Sequence, residues 1–176
     1  ALQFSLLSMT SEQIIDGVSR NQLDLGICYL QHLDERLFKI AQLPQTRMGL
    51  LHDKRHFDFS AGTPGWDTLA ALPLGFLTKG MYYRESIEIS FKAKGLTPTS
   101  VFESDSTFQI IQAVQAGICC AIMPLNNGLE ALSDNLEILP IAETQVDSQL
   151  ALIMRQQEPV SSLAEKCFAE AQGIFG

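Results

Sequence analysis

The sequence predicts an α/β fold with mixed sheets flanked by helices, on three observations. Apolar runs of strand length alternate along nearly the whole chain with segments of helical periodicity. Ser8–Cys28 reads as a polar turn, an amphipathic helix and a buried strand, and the strand-like run Leu2–Leu7 in front of it completes a βαβ unit. A charged break, Asp53–Asp58, and a Ser/Gly/Thr/Pro loop, Ser60–Gly65, divide a first group of elements from a second, which sets a lobe boundary near Asp53.

Each element follows from its residues. Ser8, Thr10 or Ser11 can cap the first helix, and Glu12 or Gln13 is placed to close a capping box. Ile14, Ile15 and Val18 recur at helical spacing over 11–21, with Asn21 at the stop. Leu23–Leu30, broken only by Asp24 and Gly26, is a strand. Leu37–Leu43 and Arg47–His52 flank Pro44 and form one bent strand or two short ones. Trp66–Leu72 is a short helix ended by Pro73, and Leu74–Leu77 is a strand that exits through Thr78-Lys79-Gly80. Tyr82–Lys94 is a helix with Tyr83, Ile87, Phe91 and Lys94 on adjoining positions and Gly95 as its stop. Pro98–Phe102 is a strand, and Ser104 or Asp105 caps the next helix, which uses Phe108, Ile111, Val114 and Gln115 and stops at Gly117. Strands follow at Ile118–Leu125, Leu136–Ile141 and Gln149–Met154, with a short helix at Asn126–Leu132. A last helix, Ser161–Phe175, has Leu163, Ala164, Cys167, Phe168 and Ala171 as its apolar face.

Composition narrows the function. With 46% hydrophobic and 18% charged residues the chain is globular, and no apolar run approaches membrane-span length. A net charge of −8 opposes a phosphate backbone, so this chain alone is a poor binder of nucleic acid. Cys28, Cys119, Cys120 and Cys167 show no Cys-x-x-Cys spacing, and adjacent strand cysteines point to opposite faces, so reduced buried thiols are expected. His32, His52 and His56 lack metal-ligand spacing. Nucleophile-elbow, phosphate-loop and dinucleotide glycine motifs are absent. Asp53, Asp58 and Asp67 read as solvated charges.

Three polar turns lead from a strand into a helix: 8–11, 78–83 and 103–107. Helix N-termini offer unpaired N–H groups and a partial positive charge, and Ser and Thr hydroxyls add adaptable donors. Simple helix capping is the competing reading for Ser8, Thr10, Ser104 and Thr107 taken singly. As a set, Ser8, Met9, Thr10, Phe76, Thr78, Lys79, Tyr83, Glu103, Ser104 and Thr107 are the candidate ligand-binding residues.

Two motifs resemble the effector-binding domain of LysR-type transcriptional regulators. The first is the strand, polar turn and helix followed by Leu-Asp-Leu-Gly-Ile at 23–27. The second is Ile-Ile-Gln-Ala-Val-Gln-Ala-Gly at 110–117, running directly into Ile-Cys-Cys-Ala-Ile-Met-Pro. Cys119 stands where that family often has glycine. The resemblance covers nearly the whole chain in order and spacing. It implies a two-lobed fold like the type 2 periplasmic binding proteins, with lobe one at 1–53 plus 148–176, lobe two at 54–147 and a hinge near Asp53 and Asp147. It implies a small polar metabolite bound between the lobes, no cofactor or metal, a cytoplasmic homodimer or higher homo-oligomer, and operator DNA contacted only through a winged helix-turn-helix domain. The family places that domain, then a strand and a helix, ahead of the segment equivalent to Leu2–Leu7, so the chain reads as N-terminally truncated. Thr10 and Thr78 are expected to face one another across the cleft, with Glu103 disfavouring a purely anionic effector. Two other classes share such a scaffold: a solute-binding protein of an uptake transporter, and an enzyme such as a deaminase or dehydratase, which would need Lys79, Glu103 or Asp105 as its reactive group.

Overall fold

The computed structural model of the chain describes residues 3–30, 33–44, 47–60, 62–81, 83–125, 132–141, 149–157 and 159–175. Its elements, in order, are α1 (Ser11–Ser19), β1 (Leu25–Tyr29), β2 (Phe38–Gln42), β3 (Met48–Asp53), α2 (Trp66–Ala71), β4 (Pro73–Leu77), α3 (Arg84–Ala93), β5 (Thr99–Ser104), α4 (Thr107–Gln115), β6 (Cys120–Pro124), β7 (Leu136–Pro140), β8 (Leu150–Arg155) and α5 (Ser162–Phe175). They fall into two compact units, Ala1–Gln45 with Ser148–Gly176, and Thr46–Asp147. The first break thus lies at Gln45/Thr46, ahead of the Asp53 boundary expected from the charged stretch. Charge at Asp53–Asp58 follows the end of a strand, whereas β3 itself pairs inside the second unit's sheet.

In the first unit, β8 lies between β1 and β2 and runs antiparallel to both. Successive strand side chains point to opposite faces. Ala151 and Ile153 therefore pack with Val18 of α1, Cys28 and Phe38, while Leu152 and Met154 pack with Ala41 and with Ala164 and Phe168 of α5. β8 is apolar on both faces because a helix covers each one. Gly26 is the point of closest approach: a Cβ there would lie 2.3 Å from Cγ2 of Ile14 on α1. The chain reverses out of α1 through Asn21, at φ 59°.

The expected strand at Leu2–Leu7 does not form over residues 3–7. Phe4, Leu6 and Leu7 are 68%, 93% and 60% exposed. An apolar run becomes a strand only when a neighbour takes its N–H and C=O groups, and among the described residues none pairs with this one. The βαβ unit is accordingly present as its helix and second strand.

In the second unit the sheet order is β5-β4-β6-β3-β7; β4 is parallel to β5 and β6, and β3 is antiparallel to β6 and β7. Every residue of β3 is buried, as an inner strand requires. α3 packs through Ile87 and Phe91, with Phe91 edge-on to Trp66 of α2 at 4.9 Å between ring centroids. The buried face of α4 is Ile110, Ile111, Ala113 and Val114; Phe108, expected in it, is 63% exposed. On α5, Leu163 likewise points out at 44% exposure. Both are the second residue of their helix, and the first buried side chains are those of Ile110 on α4 and Ala164 on α5. The two segments around Pro44 are separate strands, β2 and β3, in different sheets. The helix expected at Asn126–Leu132 lies almost wholly outside the described residues.

Candidate functional site

The turn before α1 is a complete capping box. Thr10 is the N-cap, in extended conformation; its Oγ1 accepts the Gln13 N–H at 3.3 Å, and its own N–H donates to Gln13 Oε1 at 3.0 Å. Of the three capping candidates, Thr10 is the one used. Glu12 adds a carboxylate to the first turn, on the favourable side of the helix dipole. Ser8 is exposed, and Met9 and Thr10 are part-exposed.

In the second unit the parallel pairing of β4 and β5 sets Phe76 beside Glu103 and Leu77 beside Ser104. The strand exits therefore lie together, and the Thr78 N–H donates to the Ser104 carbonyl at 2.9 Å. Six predicted residues are gathered here by backbone order: Phe76 and Ser104 are buried, Thr78 is part-exposed, and Lys79, Glu103 and Thr107 are exposed. The α4 cap differs from expectation. Ser106 is the N-cap, without a side-chain cap bond. Ser104 instead accepts the Ser106 N–H at 3.0 Å and donates to Gln109 Oε1 at 2.6 Å, so its hydroxyl organises the turn one step earlier.

Tyr83 is the N-cap of α3 and is buried, with φ at 31° in the left-handed region. A bulky residue there carries backbone strain of roughly 1–3 kcal/mol, which the surroundings must hold in place. Arg84, which no sequence motif singled out, is the next residue and the first of α3. Its side chain is 8% exposed and stacks on the Phe76 ring, 4.3 Å from guanidinium carbon to centroid. Nε donates to Glu88 Oε1 at 2.9 Å, Nη2 approaches the same oxygen at 2.8 Å, and Nη1 donates to the Leu77 carbonyl at 2.9 Å and to Glu103 Oε2 at 3.5 Å. One side chain thus ties α3 to the ends of β4 and β5. The i, i+4 spacing of Arg84 and Glu88 was the available sequence signal.

Titration shifts lie away from these turns, at the end of β3 and at the buried cysteines of β1 and the start of β6. Asp53 is fully shielded, and the Arg55 guanidinium, with Nε at 3.0 Å and Nη2 at 2.7 Å, holds its carboxyl below the ordinary range. Burial lowers the His52 pKa, outweighing the nearby Glu137 carboxylate at 3.5 Å, so this contact joins a neutral imidazole to Glu137. The Cys28 and Cys119 thiols are pushed up by burial to about 11 and Cys120 to about 12, which leaves them unreactive. Among the described residues no group of His, Cys, Asp and Glu is arranged to hold a metal ion, and no helix is long and apolar enough to cross a membrane.

The chain forms two α/β units, and in the second the candidate turns lie at the paired ends of β4 and β5, an architecture of the periplasmic-binding-protein-like kind. Residues 1–174 match the LysR substrate binding domain. The chain belongs to that family, the ligand-sensing regulatory domains of LysR-type transcriptional regulators. A comparison with curated protein sequences finds no match. Among solved structures, the chain is similar to the effector-binding domain of QuiR in complex with shikimate, at TM-score 0.78 and 19% identity over 96% of this chain and 78% of that one. It is similar to the Synechocystis PCC6803 CcmR regulatory domain in complex with 2-PG, at TM-score 0.76 and 15% identity, covering 94% and 80%. It also matches full-length CbnR complexed with its target DNA, at TM-score 0.75 and 18% identity, covering 98% of this chain but 59% of that one. These likenesses establish the fold. They do not favour the transporter alternative.

Proposed function

We propose that this domain senses a small polar metabolite, without catalysing its conversion, and thereby controls transcription by a LysR-type regulator. The observation that carries the reading is the gathering of Thr78, Glu103 and Ser104 at the paired ends of β4 and β5 in a chain of this family. Thr10, the N-cap of α1, and Thr78 are each proposed to give the ligand one hydrogen bond. Hydroxyl and helix-start donors take its acceptors, and Glu103 takes its donors, so an amino acid, a hydroxy compound or a sugar derivative suits the set better than a simple dicarboxylate. The solved relatives of the same fold include QuiR with shikimate and CcmR with 2-PG, both acids, so anionic compounds belong in the test beside neutral and amino compounds.

The regulator acts in the cytoplasm as a homodimer, in which the first unit of one chain packs beside the second unit of the other. A two-fold arrangement suits a palindromic operator. DNA contact belongs to a winged helix-turn-helix domain, because the −8 charge of this chain opposes it. Binding shifts the population of arrangements that the DNA-binding domain reads. The test is thermal unfolding across a panel of polar metabolites, shikimate and 2-PG included, where a ligand at a hundred times its Kd stabilises by about 2.7 kcal/mol. The reading expects at least one saturable stabilisation without turnover of the ligand. Turnover of the stabilising compound would replace it with an enzyme.

A further inference from the structure

Arg84 is a cation beside the proposed ligand turns, and a ligand carboxylate or phosphate would ordinarily be drawn to it. The geometry denies that use. All three guanidinium nitrogens are engaged within the chain, with Glu88, Glu103 and the Leu77 carbonyl, and the flat face is covered by Phe76. The two carboxylates are differently placed. Glu88 and Glu103 side chains are 41% and 45% exposed, so each keeps a side toward solvent while the arginine between them is shut in.

We infer that Arg84 is a specificity-determining residue: by neutralising itself on Glu88 and Glu103, it makes this wall a hydrogen-bond acceptor that takes hydroxyl or ammonium groups and turns away anions. The inference rests on the ligand-sensing reading for its relevance, but not for its test. An incoming anion could reach Arg84 only by separating it from both carboxylates, leaving those charges unpaired. The surrounding charge works the same way. Along the chain, segments 78–88 and 103–107 carry Lys79 and Arg84 against Glu85, Glu88, Glu103 and Asp105, a net −2. Lys79 is exposed, and a solvated, flexible ammonium adds little to anion binding. Arg84 also positions Glu103, because the same guanidinium holds the end of β4 through Leu77 and the end of β5 through Glu103.

The experiment is an inorganic phosphate titration at constant ionic strength, followed by the NMR signal of the Arg84 Nε–H group, assigned by its loss in Arg84→Lys. In the parent, this signal is expected to show no saturable shift. In the Glu88→Gln/Glu103→Gln variant, the freed guanidinium is expected to bind phosphate at least about tenfold more tightly, with a saturable shift. The single variant Glu103→Gln removes only the 3.5 Å contact and leaves Glu88 in place, so it retains the fold if the double variant does not; it is expected to shift in the same direction. A saturable phosphate shift at Arg84 in the parent overturns the inference. So does a folded variant that responds no more than the parent. Neither outcome depends on a physiological ligand, so failure here is distinct from failure of the sensing reading, which the metabolite panel decides.

Discussion

The turn before α1 is closed by residues three apart, Thr10 and Gln13, whereas the turn before α3 depends on residues up to nineteen apart, Arg84 and Glu103. The first is a local device. Its two hydrogen bonds satisfy the helix start from within one turn and need nothing from the sheet. The second has no side-chain cap, and a buried tyrosine occupies left-handed space at its start. The β4–β5 register brings Leu77 and Glu103 under one guanidinium, which ties the start of α3 to the sheet. A local cap adds stability and little else. A non-local network also decides which charges are shut inside the fold and which still face solvent.

Breaking the non-local turn should cost most. Arg84→Ala leaves the Leu77 carbonyl and two carboxylates without their partner. Breaking a buried ion pair costs about 3–5 kcal/mol, and the half-exposed glutamates recover some hydration, so a loss of about 3 kcal/mol is expected in urea unfolding. Next comes a test of the first unit away from its cap. Gly26→Ala places a Cβ 2.3 Å from Ile14, pushing α1 off β1, with a loss of about 1–3 kcal/mol in the same measurement. Thr10→Ala should cost only about 1 kcal/mol, the worth of one N-cap, and should leave the Arg84 Nε–H signal unmoved. Loss of as much stability from Thr10→Ala as from Arg84→Ala would erase the contrast between the two turns.

The smallest effect is one of pH, at the far end of β3. His52 has a folded pKa below its ordinary value of 6.5, so the unfolded chain takes up its proton first. The stability this burial contributes is fully present above 6.5 and is lost as pH falls through the folded value. Asp53, also lowered, adds a second loss in the same direction, beginning below its ordinary 3.8. Unfolding free energy should therefore fall on acidification from neutrality, and His52→Gln should flatten the first part of that slope.

Much of this architecture was legible in sequence because it rests on local rules. Helical spacing placed α1, α3 and α4, glycine and asparagine marked their stops, and Thr10 with Gln13 could be read as a box. Misses arose where distant pairing decides. Residues 3–7 have strand composition but no strand partner, Phe108 and Leu163 have helical spacing but lie at helix starts, and Ser104 spends its hydroxyl on Gln109 and Ser106 rather than on a cap. Arg84 was overlooked for the same reason: its partners come together only once β4 and β5 pair. The turns after β4 and β5 do lead from a strand into a helix, since polar residues between an apolar strand and an amphipathic helix form a local pattern, whereas the turn at Thr10 has no strand before it.

The most direct measurement is calorimetry of the parent, Thr10→Ala and Thr78→Ala with the metabolite that the thermal panel identifies. Each threonine is taken to give one hydrogen bond, worth about 0.5–1.5 kcal/mol net, so each variant should bind roughly two- to tenfold more weakly while remaining folded. The account is contradicted if both variants bind as tightly as the parent while a substitution on the exposed side of α5, such as Glu170→Ala, weakens binding. That result would put the ligand away from these turns.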